Sequence, residues 1–255
     1  MPKFSQIDPC AVRVDKVVVL KENKGTLVKL CNPDGSKLIF QSPPMAIAWN
    51  SMVRPQPTGF SCGVALSFAS DDLRVKAFAK WLQDLHAHLA KLVQENSLEW
   101  YTKPLSEGQV ADYLKPLVKD AVDSNFAPTF ISKIAFEPDA TGAQRMTVRV
   151  FDAAGNPLDP EETLHKDTRA SVIAHIPYIH LGRANKQVSI RVDATQILAI
   201  PNINIERFAF EVDDDEELKA AATAATLKRA SEEAHEDVPA AKRAVMKDFD
   251  DAEDV

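Results

Sequence analysis

Five cations in the second half of the chain carry the first chemical signal. Arg145 and Arg149 flank Thr147, while Met146, Val148 and Val150 fill the alternate positions. On a pleated strand successive side chains point to opposite faces, so the two arginines project together and the apolar trio faces a core. Arg191, beside Ser189, repeats the arrangement, and Arg183 and Lys186 lie in the turn Gly182-Arg183-Ala184-Asn185-Lys186 just before it. Guanidinium forks match phosphate oxygens, so the set predicts a basic groove for an anionic chain. Outward charge is also what the wet face of an antiparallel sheet normally shows, and only clustering separates the two readings.

A single-stranded nucleic acid needs aromatic faces as well, because stacking contributes roughly 1–3 kcal/mol per base and tolerates any sequence. Trp49, Phe60, Trp100, Tyr101 and Tyr178 fall in loops or at element ends, where ring faces can stay open. Trp81 falls on the apolar stripe of a helix and is expected in the core, as are Phe130 and Phe136.

Catalysis leaves no comparable trace. The sequence contains no phosphate loop of the GxxxxGK[ST] kind, no GxGxxG, no GxSxG elbow and no HExxH pair. His86 and His88 are two apart on a helix and point away from each other, and His175 and His180 are expected on opposite sides of one strand. Cys10, Cys31 and Cys62 are odd in number and form no CxxC pair, which predicts neither a disulfide framework nor a zinc site and favours a reducing compartment. Paired carboxylates abound only near the C-terminus, where nothing rigid positions them for acid–base work. The expectation is a binding protein with no catalytic residue, no metal and no cofactor.

The elements that must position these groups are legible in outline. Val17 to Leu20, Leu27 to Leu30 and Leu38 to Phe40, separated by Asn23-Lys24-Gly25 and Asn32-Pro33-Asp34-Gly35, predict three antiparallel strands in a meander. A Pro-rich loop over 42–59 leads to a strand over 63–69. From Asp71 to about Glu95 the period shifts to that of a helix, with Leu73, Ala77, Trp81, Leu85, Leu89 and Leu92 as its stripe and Ser70 as its cap. Ser106-Glu107-Gly108-Gln109 reads as a capping box opening a second helix that ends before Pro116. Strands return over 128–136, 144–152, 171–181 and 187–192, and a run from Ile197 to Phe210 completes the body. About eight short strands with one inserted helical region, about 71–116, predict a mainly β, α+β body shaped as an OB-like antiparallel barrel.

After Phe210 the composition changes. Residues 211–255 hold 15 Asp and Glu against 6 Lys and Arg, a net −9, and the remaining 22 acids and 24 bases leave residues 1–210 at +2. The sequence therefore predicts a mildly basic body, 1–210, and a disordered acidic tail, 211–255, that cannot bury a core. Tethered beside a basic groove, such a tail acts at millimolar effective concentration and competes with a polyanion. Phe249 among Asp248, Asp250 and Asp251 reads as an apolar hook for a partner. The N-terminus lacks a signal peptide's pattern and no run approaches the roughly 18 apolar residues of a membrane span, so a soluble, intracellular protein is expected.

Several segments together resemble a known family, the single-stranded DNA-binding proteins of the phage T-seven type and in particular their branch in nucleocytoplasmic large DNA viruses. They are Leu38-Ile39-Phe40-Gln41-Ser42-Pro43-Pro44-Met45 before the Pro-rich loop, Trp100-Tyr101 ahead of the Ser106 helix, Phe126-Ala127-Pro128-Thr129-Phe130 before Ile131-Ser132-Lys133-Ile134, and the acidic tail with its aromatic. The resemblance implies an OB-fold that binds single-stranded DNA without strong sequence preference in replication, recombination or repair. It implies a tail that contacts a polymerase, primase or helicase, and often a homodimer. A cytoplasmic viral factory or a host nucleus is the location that follows, the latter favoured by the short basic sequence Pro239-Ala240-Ala241-Lys242-Arg243. Phe249 departs from the phage pattern in not being the last residue. A rival reading of the charge split is a structural or chaperone-like protein whose acidic tail holds basic clients and whose body has no groove.

Overall fold

The computed structural model describes residues 2–21, 25–56, 59–101, 103–182 and 187–200. The first strands are β1 (Arg13–Val19), β2 (Thr26–Cys31), β3 (Ile39–Gln41), β4 (Met45–Ala46), β5 (Arg54–Gln56), β6 (Gly59–Ser61) and β7 (Gly63–Ser67). Three helices follow: α1 (Leu73–Glu95), α2 (Ser97–Tyr101) and α3 (Glu107–Tyr113). The chain continues through β8 (Val118–Lys119), β9 (Thr129–Lys133), β10 (Phe136–Pro138), β11 (Gln144–Met146), β12 (Arg149–Phe151) and β13 (Pro157–Leu158). A short helix, α4 (Pro160–Thr163), precedes β14 (Arg169–His175), β15 (Tyr178–Gly182), β16 (Gln187–Ile190) and β17 (Asp193–Ile200).

Two sheets organise the body. The smaller is antiparallel, in the order β1-β2-β15-β16. The larger runs β13-β12-β17-β14-β3, with β4 also on β14 and with β9 joining β17, β7 and β8. Two ribbons, β5–β6 and β10–β11, stand apart. The body is mainly β with one long helix, as expected, but among the described residues the pairings do not close into a barrel.

Proline explains one departure from the sequence reading. The single strand expected over 171–181 is two strands, β14 in the large sheet and β15 in the small one. Ile176 donates its N–H to the Leu38 carbonyl (3.0 Å), whereas the Pro177 carbonyl accepts from the Leu30 N–H (3.1 Å). Pro177 has no N–H with which to extend a ladder, so the chain changes sheet there. His175 and His180 consequently sit in different sheets. The expected 144–152 strand divides likewise into β11 and β12, although the alternation holds: Met146, Val148 and Val150 are buried while Arg145, Thr147 and Arg149 are exposed. The meander is also corrected. β3 leaves β2 to pair with β14 because Phe40, fully buried, packs against Phe78 and Trp81 of α1.

Helix α1 closes the core. Its buried face is Val75, Phe78, Trp81, Leu82, Leu85, Leu89 and Val93, whereas Leu73 from the expected stripe is 80% exposed. A row at i, i+4, i+8 drifts by about 40° per step on a helix, so a stripe begun at Leu73 starts off the core face and reaches it only at Trp81. The cap is Asp72, not Ser70: the Asp72 carboxylate accepts from the Arg74 N–H at 2.8 Å, and the Ser70 hydroxyl takes the Asp72 N–H instead. Hydrogen bonds to Arg74, from its side chain and its N–H, hold the Asp72 carboxyl down to a pKa of about 2. Trp81 is core as expected, and its indole N–H donates to the Ile7 carbonyl (2.8 Å). The Ser106–Gln109 capping box is present at the start of α3. Among the described residues no helix is long and apolar enough to cross a membrane.

Candidate functional site

The two sheets meet along a seam, and the seam is cationic. The link from α3 to β8 is tied to the small sheet where the Lys115 N–H donates to the Val188 carbonyl of β16 (3.0 Å). On the other side, the Lys133 N–H at the end of β9 donates to the Val192 carbonyl (2.8 Å). These two bonds draw segments from both sheets around a groove of about 580 Å3. Lys115, Lys119, Lys133 and Arg191 line it together with Tyr178 and His180, over an apolar floor that includes Leu117 and Val192. No carboxylate is among the lining residues.

The electrostatics are those of clustered cations. Burial is the first cause that lowers the Lys119 pKa, and the neighbouring charges of Lys133 and Lys115 lower it further. Like charges held together without a counter-charge repel, and an anion placed among them relieves that repulsion. Arg191 is partly engaged, its Nε donating to the Asp193 carboxylate. Tyr178 offers a half-buried ring beside these cations. Four cations and an aromatic in one concave strip can hold several phosphates of a chain and one planar group. Among the described residues no set of three or more His, Cys, Asp or Glu could hold a metal.

Of the residues expected from sequence, the groove gathers Arg191 and Tyr178. Arg149 is exposed on β12 beside Gln196 of β17 and does not line the groove. Arg145 sits in the β10–β11 ribbon, where its Nε donates to Asp139 at 2.9 Å; hydrogen bonds from Thr141 first, and then Arg145, hold the Asp139 carboxyl down to about 2. Trp49 and Phe60 are exposed, but Phe60 packs edge-on against Phe136, centroids 6.4 Å apart, away from the groove lining. Trp100 and Tyr101 are corrected to core residues, 3% and 9% exposed. They lie on α2, which caps the small sheet: the Trp100 carbonyl accepts from the Thr26 hydroxyl of β2, and Tyr101 donates to Gly182 of β15. Arg183, Lys186, Asp248, Phe249, Asp250 and Asp251 lie outside the described residues.

The three lysines were not singled out from sequence. Lys115 and Lys119 are spaced like ordinary surface residues around Pro116, and Lys133 ends a strand. They share a site only because residues 114–119 fold back onto β16, a long-range event that no local pattern encodes.

No protein-family model matches the sequence, and no curated protein matches it. Solved structures do show likenesses. One is to gp2.5, a single-stranded DNA binding protein encoded by bacteriophage T7, at 14% identity and TM-score 0.46, over 70% of this chain and 99% of that one. Two others are to the single-stranded DNA-binding protein from bacteriophage Enc34. The C-terminally truncated form gives 14% identity and TM-score 0.40, over 73% of this chain and 96% of that one. The untruncated form gives 13% and 0.38, over 80% and 99%.

Proposed function

We propose that the protein binds single-stranded nucleic acid, DNA in particular, through phosphates in the seam groove and a base against Tyr178, without strong sequence preference. The observation that carries this reading is the convergence of Lys115, Lys119, Lys133 and Arg191 on one concave strip whose lining contains no acid. Lysine and arginine there neutralise backbone charge, which every sequence carries alike. The acidic segment 211–255 then serves as an intramolecular rival for the groove and as a hook, through Phe249, for proteins of DNA replication, recombination or repair.

Titrating the full chain against a labelled single-stranded oligonucleotide at several salt concentrations tests the proposal. With four phosphates neutralised, log K is expected to fall against log salt with a slope of about −3, at roughly −0.7 per contact for single strands. A blunt duplex should bind more weakly, because its bases are not free to stack. Salt-independent binding, or no binding at low salt, would falsify the proposal.

The lysine cluster adds a pH signature. Phosphate in the groove raises the depressed Lys119 pKa, so binding takes up a proton between the free and bound values. Affinity is full below the free-state pKa and declines as pH rises through the bound one. Lys119→Arg, which stays charged throughout, is expected to flatten that alkaline decline while binding at neutral pH persists.

A further inference from the structure

Register across the small sheet aligns more cations than the groove itself contains. Lys16 of β1 stands directly opposite Lys29 of β2, and Lys29 stands opposite Tyr178 of β15. Tyr178 in turn accepts the Arg191 N–H on its carbonyl at 3.0 Å. Lys16, Lys29, Tyr178 and Arg191 therefore form one row running across β1, β2 and β15 to the residue that follows β16. It lies on the outer face, since Val28 and Leu30, the neighbours of Lys29, are buried beneath while Lys16, Lys29 and Arg191 are exposed. At about 4.8 Å between strands the row spans roughly 14 Å. Beside it runs a second row, Val18, Leu27 and His180, paired in the same registers, of which Leu27 and His180 already line the groove and Val18 extends it.

The row is unfavourable as architecture. Like charges directly opposite on neighbouring strands destabilise a sheet, yet neither Lys16 nor Lys29 has an ion-pair partner among the described residues. Asp15 precedes Lys16 at the β1 bulge, and Asp193 is taken by Arg191. One end of the row, Tyr178 and Arg191, is already part of the groove wall.

We infer that a single strand bound in the groove leaves it across the small sheet, at right angles to the strands, with Lys29 and Lys16 holding its phosphates. The inference rests on the proposed function and assigns the path of the bound chain beyond the groove. Charge complementarity names the occupant: an extended polyanion follows a line of cations, and the row of Val18, Leu27 and His180 gives its bases a surface to lie on.

The test compares Lys16→Ala/Lys29→Ala with the parent full chain on two oligonucleotides, one just long enough to fill the groove and one several nucleotides longer. On the longer one the variant is expected to bind about ten-fold more weakly, with a salt slope shallower by about 1.4, the value for two phosphates lost. On the shorter one the two proteins should bind alike. The variant should melt no lower than the parent, since a repulsive pair has been removed, and this separates a lost contact from a damaged fold. Equal binding of the longer oligonucleotide by parent and variant overturns the path while leaving the groove reading intact. Failure of the parent to bind either oligonucleotide overturns the groove reading itself.

Discussion

A chain in which Lys115, Lys119 and Lys133 are all alanine is expected to bind single strands about 100-fold more weakly than the parent, at roughly 1 kcal/mol per lost phosphate contact. Its salt slope should become shallower by about 2, from three contacts at roughly 0.7 each. The direction of the stability change is what makes this variant informative. Burial first, and then the charges of Lys133 and Lys115, depress Lys119, and no carboxylate lines the groove, so removing the three ammonium groups relieves desolvation and repulsion and leaves the core untouched. A melting temperature equal to or above the parent's, together with the loss of binding in an anisotropy titration, is the expected pair of results. Unchanged affinity would mean that the groove is only a wet seam between sheets.

Phe78→Ala is expected to have the largest effect on stability, about 3–5 kcal/mol, the range for removing a large buried aromatic. Phe78 is fully buried on α1 and touches the rings of Phe4, Phe40, Phe68, Trp81 and Phe130. Those partners come from the N-terminal segment, from β3, from the residue after β7, from α1 itself and from β9, so the cavity left behind has walls on several elements that cannot all collapse into it. Urea unfolding read by tryptophan fluorescence should show a lower midpoint, because Trp81 stacks on Phe78 with centroids 6.2 Å apart. Binding measured well below that midpoint should stay close to the parent's, since Phe78 does not reach the groove.

What the sequence disclosed and what it withheld follow a physical division. Local signals were reliable where neighbours in sequence decide the outcome. The Ser106 capping box, the helical period of α1, the burial of Trp81 and the alternation around Arg145 and Arg149 all depend on residues within a turn or a strand of one another. Pairing depends on distant partners, and there local reading failed. β3 joins β14 rather than β2, and the chain crosses between sheets at Pro177, a residue whose missing N–H could have been weighed as a break rather than read through. The candidate site shows the same split. Arg191 was legible because strand alternation puts it on an outer face, and Tyr178 because it falls at an element end, but Lys115, Lys119 and Lys133 meet them only through the docking of the α3–β8 link on β16. Trp100 and Tyr101 misled because a short helix after α1, unforeseen in the sequence, turns both rings inward.

The seam has one more consequence. Its walls belong to different sheets, joined at the Pro177 corner and by the bonds from Lys115 and Lys133 to Val188 and Val192. Any molecule gripping both walls therefore braces the junction, much as a clasp holds two plates. A ligand that grips both walls is therefore expected to raise the melting temperature as its concentration climbs above Kd.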